Sequence, residues 1–277
     1  MIRALAFALL LPGAALADPA QRIVSIGGSV TEIAAALGAA DRLIARDTTS
    51  TWPPDITALP DVGYIRALSA EGVLALGPDM IVSEAGAGPR EAVEVLRAAG
   101  VPFVEMPGDP SPAGVLAKID AVAKALELEP EGAALHAKVA AGLAEAEARA
   151  AALTVPRKRV LFVLALQSGR VMAGGEGSSA EGIIKLAGGD NAAEGFRGYK
   201  QMTDEAVIAA APDVILMMDR EGDLAVLNAD ILAHPALGQT PAAKAGAMLR
   251  MDGMKLLGFG PRTPAAAAEL FAALYGG

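Results

Sequence analysis

The chain has 277 residues, 53% of them hydrophobic and only 4% aromatic, with a formal net charge of -9. That length suits one large domain or two smaller ones, and an acidic chain with no basic stripe argues against a nucleic-acid surface. The lack of cysteine excludes disulfides, thiolate metal sites and cysteine nucleophiles.

Residues 1–17 read as a signal peptide. Met1-Ile2-Arg3 is a short positive start, residues 4–11 are the apolar centre, and Ala15-Leu16-Ala17 satisfies the small-x-small rule for cleavage after Ala17. The apolar run falls well short of the about 20 residues a membrane span needs. The expected product is an exported, soluble chain that starts at Asp18. Next, 22–26 is a short apolar run closed by Gly27-Gly28, the pattern of a buried strand. Ser29 or Thr31 can cap the following helix, with Glu32 in its first turn. A second strand at 43–45 leads into the polar loop 47–54, which holds the single tryptophan, Trp52. The segment Val62-Gly63-Tyr64-Ile65-Arg66-Ala67-Leu68-Ser69-Ala70-Glu71 then opens a helix at 69–76. A strand at 80–83, a helix at 90–99 and a strand at 101–106 follow. Strands alternating with helices predict an α/β fold with parallel sheets covered on both faces.

Residues 111–153 carry no strand pattern. They form two helical segments broken near Glu129-Pro130, and the second, Ala-rich and about 30 Å long, can act as a strut. The α/β pattern restarts with a strand at 159–166, a glycine-rich turn at 174–179, a helix ending at Gly188-Gly189, and a segment 191–201 that carries Tyr199. A strand at 213–218, Asp219-Arg220, a last strand at 247–251 and a terminal helix from Thr263 or Pro264 complete the chain. The divisions expected are a signal peptide at 1–17, an N-terminal lobe at 18–128, a linking helix at 129–155 and a C-terminal lobe at 156–277. An internal repeat supports two like lobes: residues 69–82 align without a gap onto 203–216. Each copy runs hydroxyl, Glu, apolar helix face, Pro-Asp, apolar strand.

In open α/β sheets, ligands sit beyond the carboxyl ends of the strands. Tyr64 lies in a loop that can reach that edge. A phenolate is a hard anionic ligand suited to Fe(III), and Arg66 can stabilise it or bind a carboxylate. Equally, Tyr64 can be a loop tyrosine packed on the core with Arg66 solvated. Glu71 and Glu205 occupy matching first turns of matching helices. The helix dipole alone favours a carboxylate there, and the pair can also dock a dimeric partner that carries arginines. His136 and His234 lack companions at metal spacing. The glycine-rich turns match neither the dinucleotide nor the P-loop spacing, and no Gly-x-Ser-x-Gly elbow exists.

Several stretches carry a family resemblance: 22–33, 47–54, Gly63-Tyr64-Ile65-Arg66-Ala67-Leu68-Ser69-Ala70-Glu71-Gly72, Gly198-Tyr199-Lys200 and 257–264. They resemble the periplasmic haem-binding proteins of bacterial haem-uptake ABC transporters, within the siderophore and vitamin B12 binding group, over nearly all of the mature chain. Tyr-x-Arg before Leu-Ser-Ala-Glu is the most specific marker. The resemblance implies two Rossmann-like lobes joined by one long helix, with little hinge closure. It implies that the ligand is ferric haem b (iron protoporphyrin IX), a transported cargo, with Tyr64 as axial ligand and Arg66 beside the phenolate. Tyr199 would line the opposite wall, and Arg220 would stand near the haem from the second lobe. Glu71 and Glu205 match glutamates that bridge to arginines of an inner-membrane permease dimer, which works with its ATPase. The expected protein is a periplasmic monomer and not an enzyme. Alternatives from this reading are a ferric siderophore or cobalamin binder, and an exported haem-modifying enzyme. Some relatives hold two stacked haems, the second on a histidine; here the corresponding loop offers Gln167-Ser168, so one haem is expected. Trp52 stands where tyrosine is common in the family.

Overall fold

A computed structural model of the protein describes residues 19–219 and 226–276. The signal-peptide assignment and Arg220 lie outside the described residues. The first strand, β1 (Ile23–Ile26), is buried along its whole length. It therefore needs cover on both faces, which a parallel sheet with crossover helices supplies. It sits between β2 (Leu43–Arg46) and β3 (Met80–Glu84), with β4 (Phe103–Met106) beyond β3, and all neighbours are parallel. The crossovers carry α1 (Gly28–Ala36), α2 (Ala70–Leu74) and α3 (Arg90–Ala98).

The expected cap of α1 is not what forms. Gly27 is its N-cap, with no side-chain cap. Ser29 and Thr31 turn inward instead: Thr31 Oγ1 shares hydrogen bonds of 2.7 Å with Ser25 and with Ser50, and Ser29 Oγ accepts from Lys118 Nζ at 2.8 Å. Buried hydroxyls need partners, and these find them across the fold rather than at a helix end.

Two helices separate the sheets along the chain, α4 (Pro112–Leu126) and α5 (Glu129–Ala151), with Glu127 in the left-handed region at φ 58° between them. Ser111 caps α4, accepting from Gly114 N at 3.0 Å and donating to Asp109 at 2.6 Å. Ser111→Ala is expected to lower stability by about 1 kcal/mol, seen as a lower urea midpoint with an unchanged slope.

The second sheet orders its strands β10-β9-β5-β6-β8. These are β5 (Arg159–Gln167), β6 (Arg170–Gly174), β8 (Tyr199–Met202), β9 (Val214–Asp219) and β10 (Met248–Asp252), and the short β7 (Asp190–Asn191) pairs with the start of β5. The β10, β9 and β5 pairings are parallel, whereas β6 and β8 join antiparallel. The α/β class holds, but this sheet is mixed rather than parallel. The cause is a tight hairpin: Ser168 and Gly169 both take positive φ, 50° and 73°, the twist that returns one strand beside another. Around it lie α6 (Ser179–Leu186), α7 (Asp204–Ala210), α8 (Asn228–Ala233), α9 (Pro241–Ala245), α10 (Gly253–Leu257) and α11 (Thr263–Tyr275).

The repeat seen in the sequence is a repeat of geometry. Ser69 caps α2 by accepting from Gly72 N, and Thr203 caps α7 by accepting from Ala206 N, both at 3.2 Å. Each Pro-Asp then secures the start of its sheet. Asp79 accepts from the main-chain N–H of Gln21 and Arg22 at 2.8 and 3.0 Å, and Asp213 accepts from that of Arg159 at 2.9 Å. The two arginines match as well. Arg22 donates to the carbonyls of Leu76 and Gly77, and Arg159 to that of Ala210, at the ends of α2 and α7. A cation there satisfies carbonyls the helix leaves open.

One hydrophobic cluster runs through both halves. It joins Ile23, Val30 and Val82 to Ile119 and Val122 of α4, Leu143 of α5, and Phe162, Ile184, Leu216 and Leu270 beyond. Each such side chain contributes on the order of 2 kcal/mol by its burial, so separating the two sheets would expose a shared core.

Candidate functional site

The Tyr64 loop is pinned from two sides at the carboxyl ends of β2 and β3. On one side Val62 N donates to Arg46 O at 2.9 Å and Thr48 N to Gly63 O at 3.0 Å. On the other, Gly88 N donates to Ile65 O at 2.9 Å and Leu68 N to Gly88 O at 2.8 Å. Ile65 and Leu68 are buried in the local core with Val73 and Ile81. Gly63 takes φ 91°, a value that suits glycine, and its N–H bonds Asp61, which in turn pairs with Arg46 at 2.8 Å. The alternation leaves Tyr64 and Arg66 outward. Tyr64 is 48% exposed, and among the described residues its hydroxyl has no hydrogen-bond partner. A core-packed tyrosine is therefore not what the loop builds.

The neighbouring loop is equally fixed. Asp47 is fully buried and accepts from Gly27 N, Thr49 N, Thr49 Oγ1 and Ser50 Oγ at 2.7–3.1 Å. Its carboxylate is satisfied by donors on two elements, so the stretch up to Trp52 is held to the β1–α1 turn. Trp52 remains 44% exposed.

Tyr199 stands on the second lobe, at the start of β8, edge-on to Phe162 with ring centroids 6.3 Å apart. Burial pushes its phenol above the ordinary tyrosine value. The N–H of Ala180, the hydroxyls of Ser179 and Ser178, and the charge of Arg66 act the other way. The charge of Arg66, on the N-terminal side, thus reaches Tyr199 on the second sheet. Because folding favours the neutral phenol, that preference is lost as pH rises through the raised value. Tyr199→Phe is expected to remove a phase above the ordinary tyrosine range from an alkaline absorbance titration.

Glu71 and Glu205 are both exposed in the first turns of α2 and α7. The main-chain N–H of Glu205 and the Thr203 hydroxyl hold the Glu205 carboxyl below the usual range. Since each helix leads back to a parallel strand, its N-terminus lies at the carboxyl-end side of its sheet, the side of the cleft.

Two further cations, Lys118 and Arg262, and their partners gather where the halves meet. Lys118, 1% exposed, donates to Ser29 and Glu84 at 2.8 Å each and approaches Gly258 O at 3.4 Å. Arg262 grips Glu32 with a forked set of hydrogen bonds. The signal for Lys118 was present: it falls on the apolar face of α4, between Val115 and Val122. Glu32 and Arg262 stood in the family-marker stretches without a role. Among the described residues no group of three or more His, Cys, Asp and Glu converges to hold a metal. A cavity of about 520 Å³ opens elsewhere, beside Ser111, Glu147, Arg157, Glu181 and Arg197, and does not include Tyr64, Arg66 or Tyr199.

The two sheets and the long helix agree with what comparison with known proteins finds. A family model described as periplasmic binding protein covers residues 23–253. The chain belongs to the periplasmic binding protein family. Within the family, the chain is similar to the periplasmic heme-binding protein BhuT, solved in complex with two hemes. The identity is 40%, over 91% of this chain and 97% of that one, with a TM-score of 0.86. It is also similar to the periplasmic heme-binding protein RhuT from Roseiflexus sp. RS-1 in apo form, at 37% identity over 92% and 98%, with a TM-score of 0.87. Among curated relatives, an uncharacterized ABC transporter substrate-binding lipoprotein of Bacillus subtilis, YvrC, is 24% identical over 72% of this chain, which spans 64% of that relative's length. The vitamin B12-binding protein of Vibrio campbellii is 29% identical over 86% of each chain.

Proposed function

We propose that this periplasmic binding protein takes ferric haem b into its inter-lobe cleft and delivers it to an inner-membrane ABC permease dimer and its ATPase. Tyr64 is the axial ligand of the iron, Arg66 stabilises the phenolate, and Tyr199 lines the opposite wall. The observation that carries this reading is the exposed Tyr64 hydroxyl, unpartnered among the described residues, on a loop fixed from both sides, with Arg66 two residues on. A trivalent metal and a nearby guanidinium both favour the phenolate over the phenol. Likeness to two periplasmic heme-binding proteins supports the ligand class. The protein acts as a carrier rather than an enzyme. It works as a monomer in the periplasm, with lobes at 18–128 and 156–277 and a linking helix at 129–155, and Arg220 contributes from the second lobe. Glu71 and Glu205 dock the permease.

One haem per chain is expected, because Gln167-Ser168 after β5 supply no histidine. Hemin titration of the purified protein is expected to saturate at one equivalent. A second equivalent with its own spectrum would overturn the stoichiometry. The similarity to a vitamin B12-binding protein favours a corrinoid as the second reading. Excess cobalamin, or a ferric siderophore, is expected to leave the hemin complex intact; displacement of hemin by either would favour that alternative.

A further inference from the structure

The motif Leu257-Gly258-Phe259-Gly260-Pro261-Arg262-Thr263-Pro264 is left without a task by the ligand and docking residues. In space it is the seam. Its Gly258 carbonyl faces the buried Lys118 ammonium at 3.4 Å, and Phe259, 3% exposed, sits in the core shared by both lobes. The Thr263 hydroxyl and N–H both bond the Gly260 carbonyl, at 2.8 and 3.1 Å, which fixes the turn that presents Arg262.

Arg262 then reaches into the N-terminal lobe twice. Its Nε lies 3.1 Å from both Glu32 carboxylate oxygens, and a second nitrogen bonds Oε1. The Glu32 side chain is 5% exposed and that of Arg262 20%. Such a planar fork is a geometry lysine cannot reproduce. The same guanidinium lies 4.8 Å from the ring centroid of Trp52, as a cation over an aromatic face. One side chain from the C-terminal lobe therefore grips a carboxylate in α1 and one face of the exposed Trp52 indole.

We propose that Arg262 is the positioning residue of the cleft: it clasps the two lobes at a set separation and holds Trp52 to receive the flat ligand. Its effect on ligand binding rests on the haem reading; its effect on the lobes does not. The Lys118, Ser29, Glu84 and Gly258 contacts lie in the same seam and act in the same sense. With the continuous core, they leave the lobes little freedom to open when Arg262 is in place.

The test uses the mature chain, which has no native cysteine to interfere. Cysteines introduced at the exposed positions Glu91 and Lys244 are spin-labelled, one on each lobe, and their distance distribution is measured without ligand. The wild-type background should give one narrow distribution. Arg262→Ala should broaden it, and Arg262→Lys should broaden it to a lesser degree while keeping the charge. Acrylamide quenching of Trp52 fluorescence should rise in both variants. Hemin affinity should fall about tenfold in Arg262→Ala, with the tyrosinate spectrum kept. If Arg262→Ala fails to fold, Arg262→Lys and Glu32→Gln carry the test by the same two readouts. Distance distributions and quenching that superimpose on wild type would overturn the proposal. A wild-type protein that gives no tyrosinate spectrum would instead overturn the haem reading, without touching the distance result.

Discussion

Tyr64→Ala is expected to lower hemin affinity by about two orders of magnitude or more, a loss of at least about 2.7 kcal/mol. The argument is local. The Tyr64 loop is held by main-chain bonds to Arg46, Thr48 and Gly88 and by the buried Ile65 and Leu68, none of which needs the phenol. The exposed ring contributes little to the fold, so the variant should unfold at nearly the wild-type temperature. What it loses is the phenol oxygen proposed to bind the iron as an anion. Arg66→Ala should weaken hemin about tenfold, because the ligand remains while its charge partner is gone. Circular dichroism and isothermal titration together check both halves. A Tyr64→Ala protein that binds hemin as tightly as wild type would remove the ligand assignment.

Charge reversal at both docking positions should have the second large effect. Glu71→Arg with Glu205→Arg is expected to leave the hemin spectrum and affinity unchanged while stimulation of the permease ATPase falls at least about tenfold. Both carboxylates are exposed at the starts of matching helices, distinct from Tyr64, so the ligand site is not altered. On the proposed docking, reversal would turn two attractions to permease arginines into repulsions, and a permease dimer would meet both at once. Each single reversal should fall between wild type and the double variant. Reconstitution with the permease in proteoliposomes reads the effect; full stimulation by the double variant would exclude these glutamates from docking.

The alternating elements and the repeat were legible because they are local. A run such as residues 23–26 declares a buried strand, and hydroxyl-x-Glu before an apolar face declares a capped helix. The candidate site could be named for the same reason, since Tyr64 and Arg66 share one short loop. What stayed hidden depends on distant contacts. Arg262 and Glu32 are separated by 230 positions, and nothing near either names the other. Lys118 carries no local mark other than its place on the apolar face of α4. The β5–β6 hairpin was missed because Ser168 takes a left-handed conformation that serine seldom adopts, so residues 170–173 were given no element. The shared core that ties the lobes is likewise a property of packing between elements, which periodicity along one element does not disclose.

The central claim is that the Tyr64 oxygen binds ferric haem. Its most direct measurement is the absorption and resonance Raman spectrum of the purified protein with one equivalent of hemin, beside Tyr64→Phe, which keeps the ring and removes only that oxygen. The account predicts a high-spin ferric tyrosinate signature with phenolate vibrations in the wild type, absent from Tyr64→Phe. Identical spectra from the two proteins would contradict it.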